Sequence, residues 1–502
     1  MPTFLHEDES LLAVSKPAGI NSHRPDPFEP EGLHEFLRRR LRLPHLSLLH
    51  RLDKETSGVM LFGKSPEADA ALTAQFAEGR VRKTYFFVSA SRTPQDQWTV
   101  STPVRGQNAE TAFTFERAVT TGFLYRAQPR TGRTHQIRLH AAESGCPVAG
   151  DTEHGPGAPA PRLLLHAAVL EILHPHTGQP LRLEVPLPGS FLSPSAGAVA
   201  REFAETVFDG EQTGIFRLRL PQAADVDLYG SLALILAAEE GGDTGDLTEA
   251  LQAFAPESVY LKKTLKSARG ESASPVLLSG VPVSGKKTIR ENGVSYGISM
   301  ESGYSTGIFA DQRENRLDLR RWCEARPPGC EILNTFAYTC AFSVCAALGG
   351  ARATSLDLSK SFLEWGRDNF RLNGLDPDAH DFIFGDAFEW MTRLHKKGRT
   401  FDAVLLDPPT FSTAKNGRVF KADKNYGELA GLALRLLPRH GGLLFASTNM
   451  ATLPAADFRR ILHRTIQETG RRITSERFQT QPWDFCVPGK KPYLKTFWFE
   501  VA

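Results

Sequence analysis

From about residue 305 to the end, the chain alternates short apolar runs with helical segments. CEILNTFAY, ATSLDLS, FIFGDA, FDAVLLDPP and GGLLFASTN each read as a strand ending in polar residues, and stretches such as SFLEWGRDNFRLNG between them read as helices. This alternation leaves few options. Strands joined through helices form a parallel sheet that binds ligands at the carboxyl ends of its strands. Residues 1–192 have another rhythm. LLAVSKPAG, GVMLFGKS, KTYFFVSAS and LEILHPHTG are apolar runs bounded by turn formers, while helical patterns are fewer. That mixture predicts an α+β unit with a largely antiparallel sheet.

At roughly 100–200 residues per domain, 502 residues allow more than one unit. Residues 186–200, PLPGSFLSPSAGAVA, have linker composition, so a linker is expected over 193–205. An intermediate α+β module is expected over 206–300. Its Asn292-Gly293 pair, between alternating flanks, predicts a β-hairpin. The α/β unit then occupies 301–502.

Composition is ordinary for a globular chain, with 41% hydrophobic and 23% charged residues. No run approaches the ~18 apolar residues of a membrane span, and MPTFLHEDESLL lacks the basic start of a secretory signal. The 59 Lys and Arg nearly balance the 57 Asp and Glu, so a nucleic-acid surface must be a local patch. Six cysteines without a CxxC pair predict reduced thiols, a cytoplasmic location and no metal site. His135 with His140, or His174 with His176, read more simply as satisfied or surface histidines.

One chemical cluster is HRLDKETSG at residues 50–58. Asp53 stands between Arg51 and Lys54 and is followed by a Thr-Ser-Gly turn. By spacing alone, a solvated loop with a salt bridge is the plainer reading. HRLDKETSG nevertheless resembles the catalytic motif of the RluA-type pseudouridine synthases. Four further parts of the chain resemble that family in its order: Lys16-Pro17-Ala18-Gly19; Lys83-Thr84-Tyr85; GRTHQIRLH at 132–140; and GCPVAGD at 145–151 with RLLLHAAVLEILHP at 162–175.

The resemblance covers about residues 8–190 and implies that family's α+β fold with a mainly antiparallel, mixed sheet. It implies that Asp53 is the nucleophile attacking a flipped-out uridine. Arg138 would pair with Asp53, and Tyr85 would stack on the base. Arg51 and Arg133 would contact RNA. A stacked target base must be flipped to be reached, and an aromatic ring then holds it. Arg38, Arg39, Arg40 and Arg42 form either an RNA-phosphate contact or a solvated helix face.

The second cluster lies on the parallel sheet. ILNTFAYTCAF at 332–342 supplies the first strand and its tight turn, Asp357 ends the second strand, Asp386 ends the third, and Asp407-Pro408-Pro409-Thr410 ends the fourth. No GxGxxG is present, which weakens a dinucleotide reading. The set resembles a class I S-adenosylmethionine-dependent methyltransferase: a Rossmann-like α/β fold with a mostly parallel seven-stranded sheet. Over about residues 255–502 it is similar to the ribosomal-RNA methyltransferases of the RlmI and RlmKL kind, with TGIFADQR at 306–313 and DAVLLDPPTFS at 402–412.

This resemblance implies S-adenosylmethionine as cofactor. Asp357 would hold the ribose and Asp386 would lie near adenine. Asp311, Arg313, Tyr338 and Thr339 would line the pocket. Asp407, Pro408 and Pro409 would shape the methyl-transfer site. Where the family usually has glycine, this chain has Cys340, which would narrow the pocket or shift the turn.

Carbon-5 methylation of cytosine needs a thiol, and neither Ala446-Ser447-Thr448-Asn449 nor the Asp407 segment supplies one. Cytosine carbon 5 is therefore disfavoured; the Ser447-Thr448-Asn449 stretch and DPPTFS resemble the guanine-N7 domain of the RlmKL kind, and that resemblance implies guanine N7 as the acceptor, with an exocyclic amine next. Lys262, Lys263, Lys266, Lys286, Lys287 and Arg290 are an RNA-contact surface or a solvated face. The whole reads as a bifunctional RNA-modifying enzyme acting on RNA, with large-subunit ribosomal RNA favoured. The competing readings are a synthase with a catalytically silent RNA-binding half, and a methyltransferase acting on DNA or a small molecule.

Overall fold

The computed structural model describes residues 2–502 except 156, 209–211, 219, 221–224, 238–244, 264–273, 303–304, 414–418 and 488. The front half is a ten-stranded sheet. Its pairings are antiparallel except where Ser57–Gly63 runs parallel to Leu165–Leu173. That exception matters, because it places the chain just after Asp53 beside a strand buried along most of its length.

The back half contains a seven-stranded sheet. Asp381–Phe384, Arg352–Asp357, Glu331–Thr335, Ala403–Leu406 and Gly442–Thr448 pair in parallel in that spatial order. Lys495–Val501 and Ile473–Gln479 complete the sheet antiparallel. The inner strands are apolar on both faces because helices cover both sides. Leu333, Leu356, Val404, Leu406 and Leu444 are fully buried in one cluster.

The middle region forms a five-stranded sheet and a separate hairpin, Lys287–Glu291 with Val294–Ile298. Asn292 and Gly293 take positive φ angles of 49° and 77° at its turn, as the expected two-residue hairpin turn requires. This region is not a separate module ending at residue 300. Ile215, Tyr229, Ile289 and Tyr296 share a core with Cys340, Val344 and Leu363 of the back half.

Two expectations are corrected here. Residues 193–205 are not a flexible linker, because Ala196–Phe208 is a helix. It buries Phe203, Ala204, Val207 and Phe208 against Leu12, Val14, Met60 and Trp483. Alanine and glycine look like linker composition, but here they alternate with Val and Phe at helical spacing and form one apolar stripe.

The arginine run on the front helix Leu33–Arg40 is neither a solvated face nor an RNA contact at its two central members. Arg39 grips Glu31 (2.9 Å), Glu314 (3.1 Å) and Asp318 (3.1 Å). Arg40 reaches Glu314 (3.2 Å) and Asn292 (3.0 Å). Arg477 pairs with Asp318 from the last sheet. Arg38 and Arg42 remain exposed.

Among the described residues, no helix is long and apolar enough to cross a membrane.

This cluster joins the two halves electrostatically. Burial alone would raise the Glu314 carboxyl, but Arg40 and Arg39 outweigh it and hold the group down to about 2. A carboxylate held low contributes stability above its unfolded pKa near 4.5, and that contribution is lost as pH falls toward 2. Equilibrium acid unfolding followed by tryptophan fluorescence should therefore show undocking of the halves within that window. Arg40→Ala leaves Glu314 short of a partner and should cost about 3–5 kcal/mol in denaturant unfolding.

Candidate active sites

The front site is a cavity of about 750 Å³ lined by Asn21, Ser22, Arg51, Asp53, Tyr85 and Arg138, among others. Asp53 sits in the loop between two strands, its side chain 27% exposed. Asp53 Oδ2 is 3.7 Å from Arg138 Nη1, and Oδ1 is 3.8 Å from His135 Nε2. The shorter bonds of Arg138 go elsewhere: Nε and Nη2 donate to Asp151 at 2.7 and 2.6 Å. Asp151 thus holds the guanidinium fork, and the free arm faces Asp53.

Tyr85 lines the same cavity. Burial, then the Asp53 charge, push its phenol above its ordinary value. Burial pushes Lys83 down, and His50 to about 4. Arg51 and Arg133 are exposed at the cavity wall, and Arg133 Nε donates to the Asn108 carbonyl at 3.1 Å.

Sequence reading missed His135, Asp151, Glu153 and His154. His135 Nδ1 lies 2.7 Å from His154 Nε2, and Arg138 Nη2 donates to Glu153 at 3.1 Å. His135 and Asp151 belong to motifs already singled out. Glu153 and His154 carry no sequence signal.

The back site lies at the carboxyl ends of the parallel strands. Phe336, Tyr338 and Cys340 take positive φ angles of 55°, 49° and 62°, an unusual run for side-chain-bearing residues. Asp357 holds the turn: its two oxygens accept the amides of Tyr338 and Ser359, both at 2.8 Å. Burial raises its carboxyl. The Gly385 amide donates to the Asp357 carbonyl at 2.9 Å, which ties the second strand end to the third. Asp386 caps the next helix by accepting from Glu389 N at 3.1 Å. Thr339 Oγ1 donates to the Gly307 carbonyl at 2.5 Å.

Cys340 turns its side chain into the core. It keeps the left-handed angle at the N-cap of Ala341–Leu348 and is fully buried. Its sulfur lies over Gly366, where a Cβ would fall 2.4 Å from Sγ. The facing helix thus has a glycine at this contact.

Half-buried Asp407 ends the fourth strand, followed by Pro408 and Pro409. Burial, then the neighbouring Asp311 charge, push its carboxyl up to about 6. Gln312 Nε2 donates to Asp407 Oδ2 at 3.0 Å and to Ser447 Oγ at 2.9 Å. Asp311 accepts from Tyr493 OH at 3.0 Å.

The expectation that Arg313 lines the cofactor pocket is corrected. It is buried and bonded to Asp484 (2.7 Å) and the Ile215 carbonyl (3.1 Å). It begins the helix Arg313–Glu324, whose rotation turns it away from Asp311.

The expected basic surface is broken up. Lys286 pairs with Asp368 at 2.8 Å and lies over Trp365, Lys287 is exposed and Lys262 is buried. Lys266 and the Lys263 side chain lie outside the described residues.

Residues 247–497 match the S-adenosylmethionine-dependent methyltransferase family. The chain belongs to that family. Residues 10–143 match the RNA pseudouridylate synthase family, so a pseudouridine synthase domain precedes the methyltransferase. YwbD of Bacillus subtilis, named provisionally as a ribosomal RNA large subunit methyltransferase, is 38% identical over 211 residues, or 41% of this chain and 52% of that protein. Ribosomal RNA large subunit methyltransferase I of Alteromonas mediterranea is 28% identical over 310 residues, 59% of this chain and 76% of the relative. The match to YwbD thus spans about half that relative's length. SMU.776, solved in complex with SAH and described provisionally as a methyltransferase, superposes with a TM-score of 0.53 at 25% identity, covering 67% of this chain and 89% of its own.

The methyltransferase donor set fits its cofactor. The Asp357 carboxylate keeps acceptor capacity beyond its backbone bonds, enough to accept from a ribose hydroxyl. Phe384 is an exposed aromatic two residues before Asp386. Gly366→Ala should weaken S-adenosylmethionine binding at least tenfold in calorimetric titration, because the new methyl displaces Cys340 and its turn. The double substitution Gly366→Ala with Cys340→Gly should restore it.

Proposed function

We propose that the chain is a bifunctional RNA-modifying enzyme, isomerising uridine to pseudouridine in its synthase half and methylating a base in its methyltransferase half. Large-subunit ribosomal RNA is the substrate, as the names of the two relatives suggest. What carries the reading is where the principal motif residues lie. Asp53, Tyr85 and Arg138 share a cavity, while Asp357, Asp386 and Asp407 end successive parallel strands.

In the synthase half, Asp53 attacks the extruded uridine and the bond from ribose to nitrogen breaks; the base turns, its carbon 5 bonds to the ribose as Asp53 is released, and carbon 5 loses its proton while the freed nitrogen takes one up. Arg138, fixed by Asp151, keeps a positive charge against the Asp53 carboxylate. Tyr85 keeps its proton and serves as the stacking platform. Arg51 and Arg133 meet the RNA backbone at the rim, and on the methyltransferase side Lys287 and Lys286 do the same.

In the methyltransferase half, S-adenosylmethionine supplies the methyl group. Asp357 holds the ribose, Asp386 flanks the adenine, and Asp311, Tyr338 and Thr339 shape the pocket. Pro408 and Pro409 stiffen the loop that positions the base, and Asp407 accepts from its amino edge. The acceptor is a ring nitrogen, guanine N7. No thiol supports a covalent carbon route, since Cys340 and Cys345 are buried in the core behind the turn. Nitrogen has its own lone pair and needs only positioning.

Asp53→Ala should abolish pseudouridine formation and leave methyl transfer within twofold, measured by nucleoside mass spectrometry on ribosomal RNA. Persistent pseudouridine would remove the synthase assignment. Methyl transfer should rise with pH through an inflection near 6, where Asp407 becomes a carboxylate. Asp407→Asn should flatten that profile and lower the plateau at least a hundredfold.

A further inference from the structure

The segment from Asn21 to Glu31 runs from the uridine cavity to the core of the methyltransferase half and belongs structurally to both halves. Its first residues form the wall of the uridine cavity: Asn21, Ser22, His23 and Pro25 all line it. Ser22 also grips the residue before the nucleophile. Its hydroxyl donates to the Leu52 carbonyl at 2.8 Å and accepts from the Leu52 amide at 3.1 Å. Leu52 is buried, so this pair fixes the chain where Asp53 leaves it.

The far end of the segment is held by the methyltransferase. Phe28 packs on that half's main core cluster, with its ring 5.2 Å from Phe478 and 6.3 Å from Phe497. Arg24 Nη2 donates to the Phe478 carbonyl at 3.4 Å. The Trp483 ring lies tilted against Phe36, centroids 4.3 Å apart, and its indole N–H donates to the Glu31 carbonyl at 2.8 Å.

Between these ends the segment is stiff. The Arg24 amide donates to Glu35 at 2.8 Å. Leu33 N and His34 N donate to the carbonyls of Asn21 and Ser22 at 2.8 and 3.1 Å. The fold-back is so close that a Cβ at Gly32 would lie 2.3 Å from the His23 carbonyl carbon. Three prolines, Pro25, Pro27 and Pro30, restrict it further. A short, self-bonded segment pinned at both ends transmits position, because packed elements shift as units rather than deform.

We propose that Phe28 and Arg24 are positioning residues for pseudouridine formation, and that the methyltransferase half is thereby a structural part of the synthase active site. Neither side chain lines the uridine cavity. They act through Ser22 and Leu52 on the placement of Asp53 and on the wall opposite Tyr85. The inference rests on the reading of Asp53 as the synthase nucleophile.

The test uses the full chain with ribosomal RNA as substrate. Phe28→Ala removes the anchor, and Arg24→Gln removes the carbonyl contact without opening a cavity. For both we expect kcat for pseudouridine to fall at least tenfold with KM for RNA within twofold, methyl transfer within twofold, and rescue of the first by Phe28→Leu. A merely structural loss would lower both activities together and change the thermal midpoint. Unchanged pseudouridine kcat in both variants, or parallel loss of the two activities, overturns the proposal. Asp53→Ala serves as the separate control: if it too retains pseudouridine, the underlying reading of the site fails instead.

Discussion

The ion-pair cluster of Arg39 and Arg40 with Glu31, Glu314 and Asp318 is the constraint on which the arrangement of the molecule depends. It is largely buried, and buried charges are tolerated only when each finds partners. Glu314 and Asp318 both sit in the first half of Arg313–Glu324, the helix that follows Asp311 and Gln312. The front helix therefore docks on the helix that directly follows Asp311 and Gln312, and Gln312 bonds Asp407. Two halves with separate chemistry are locked together at a helix that one of them needs.

Around that lock the apolar contacts fall into place. Phe36 meets Trp483, Phe28 enters the methyltransferase core, and Ala196–Phe208 fills the angle between the front sheet and the C-terminal segment. Arg313 completes the set by pairing with Asp484 beside Phe208. Because these contacts are buried, removing any one strands a charge or opens a void. The flexible-tether picture of a fused enzyme, in which a linker raises local concentration, gives way to a single body.

The cofactor turn shows compensation at close range. A residue with a side chain holds a left-handed angle that usually calls for glycine, and the facing helix supplies the glycine instead at position 366. The turn is preserved because its backbone is tied to Asp357, so the cysteine side chain must go to the core side. The room for its sulfur comes from a glycine 26 residues away, in helix SFLEWGRDNF.

The sequence by itself determined the two rhythms of secondary structure, the Asn-Gly hairpin, and the motif residues that converge in each site. These are local properties: alternation, turn chemistry and residue type are written in neighbouring positions. Asp357, Asp386 and Asp407 follow from strand-end positions legible in the sequence, and Asp53, Tyr85 and Arg138 from their motifs, although these three come from a loop, a strand and a helix. Tertiary structure alone decided what touches across the chain. Arg39 and Arg40 became an internal lock, Arg313 a buried strut, residues 196–208 a packed helix, and Asp151 the holder of Arg138. A charged or small side chain has the same local pattern whether it faces water, RNA or another domain, and only the partner brought to it in space settles which.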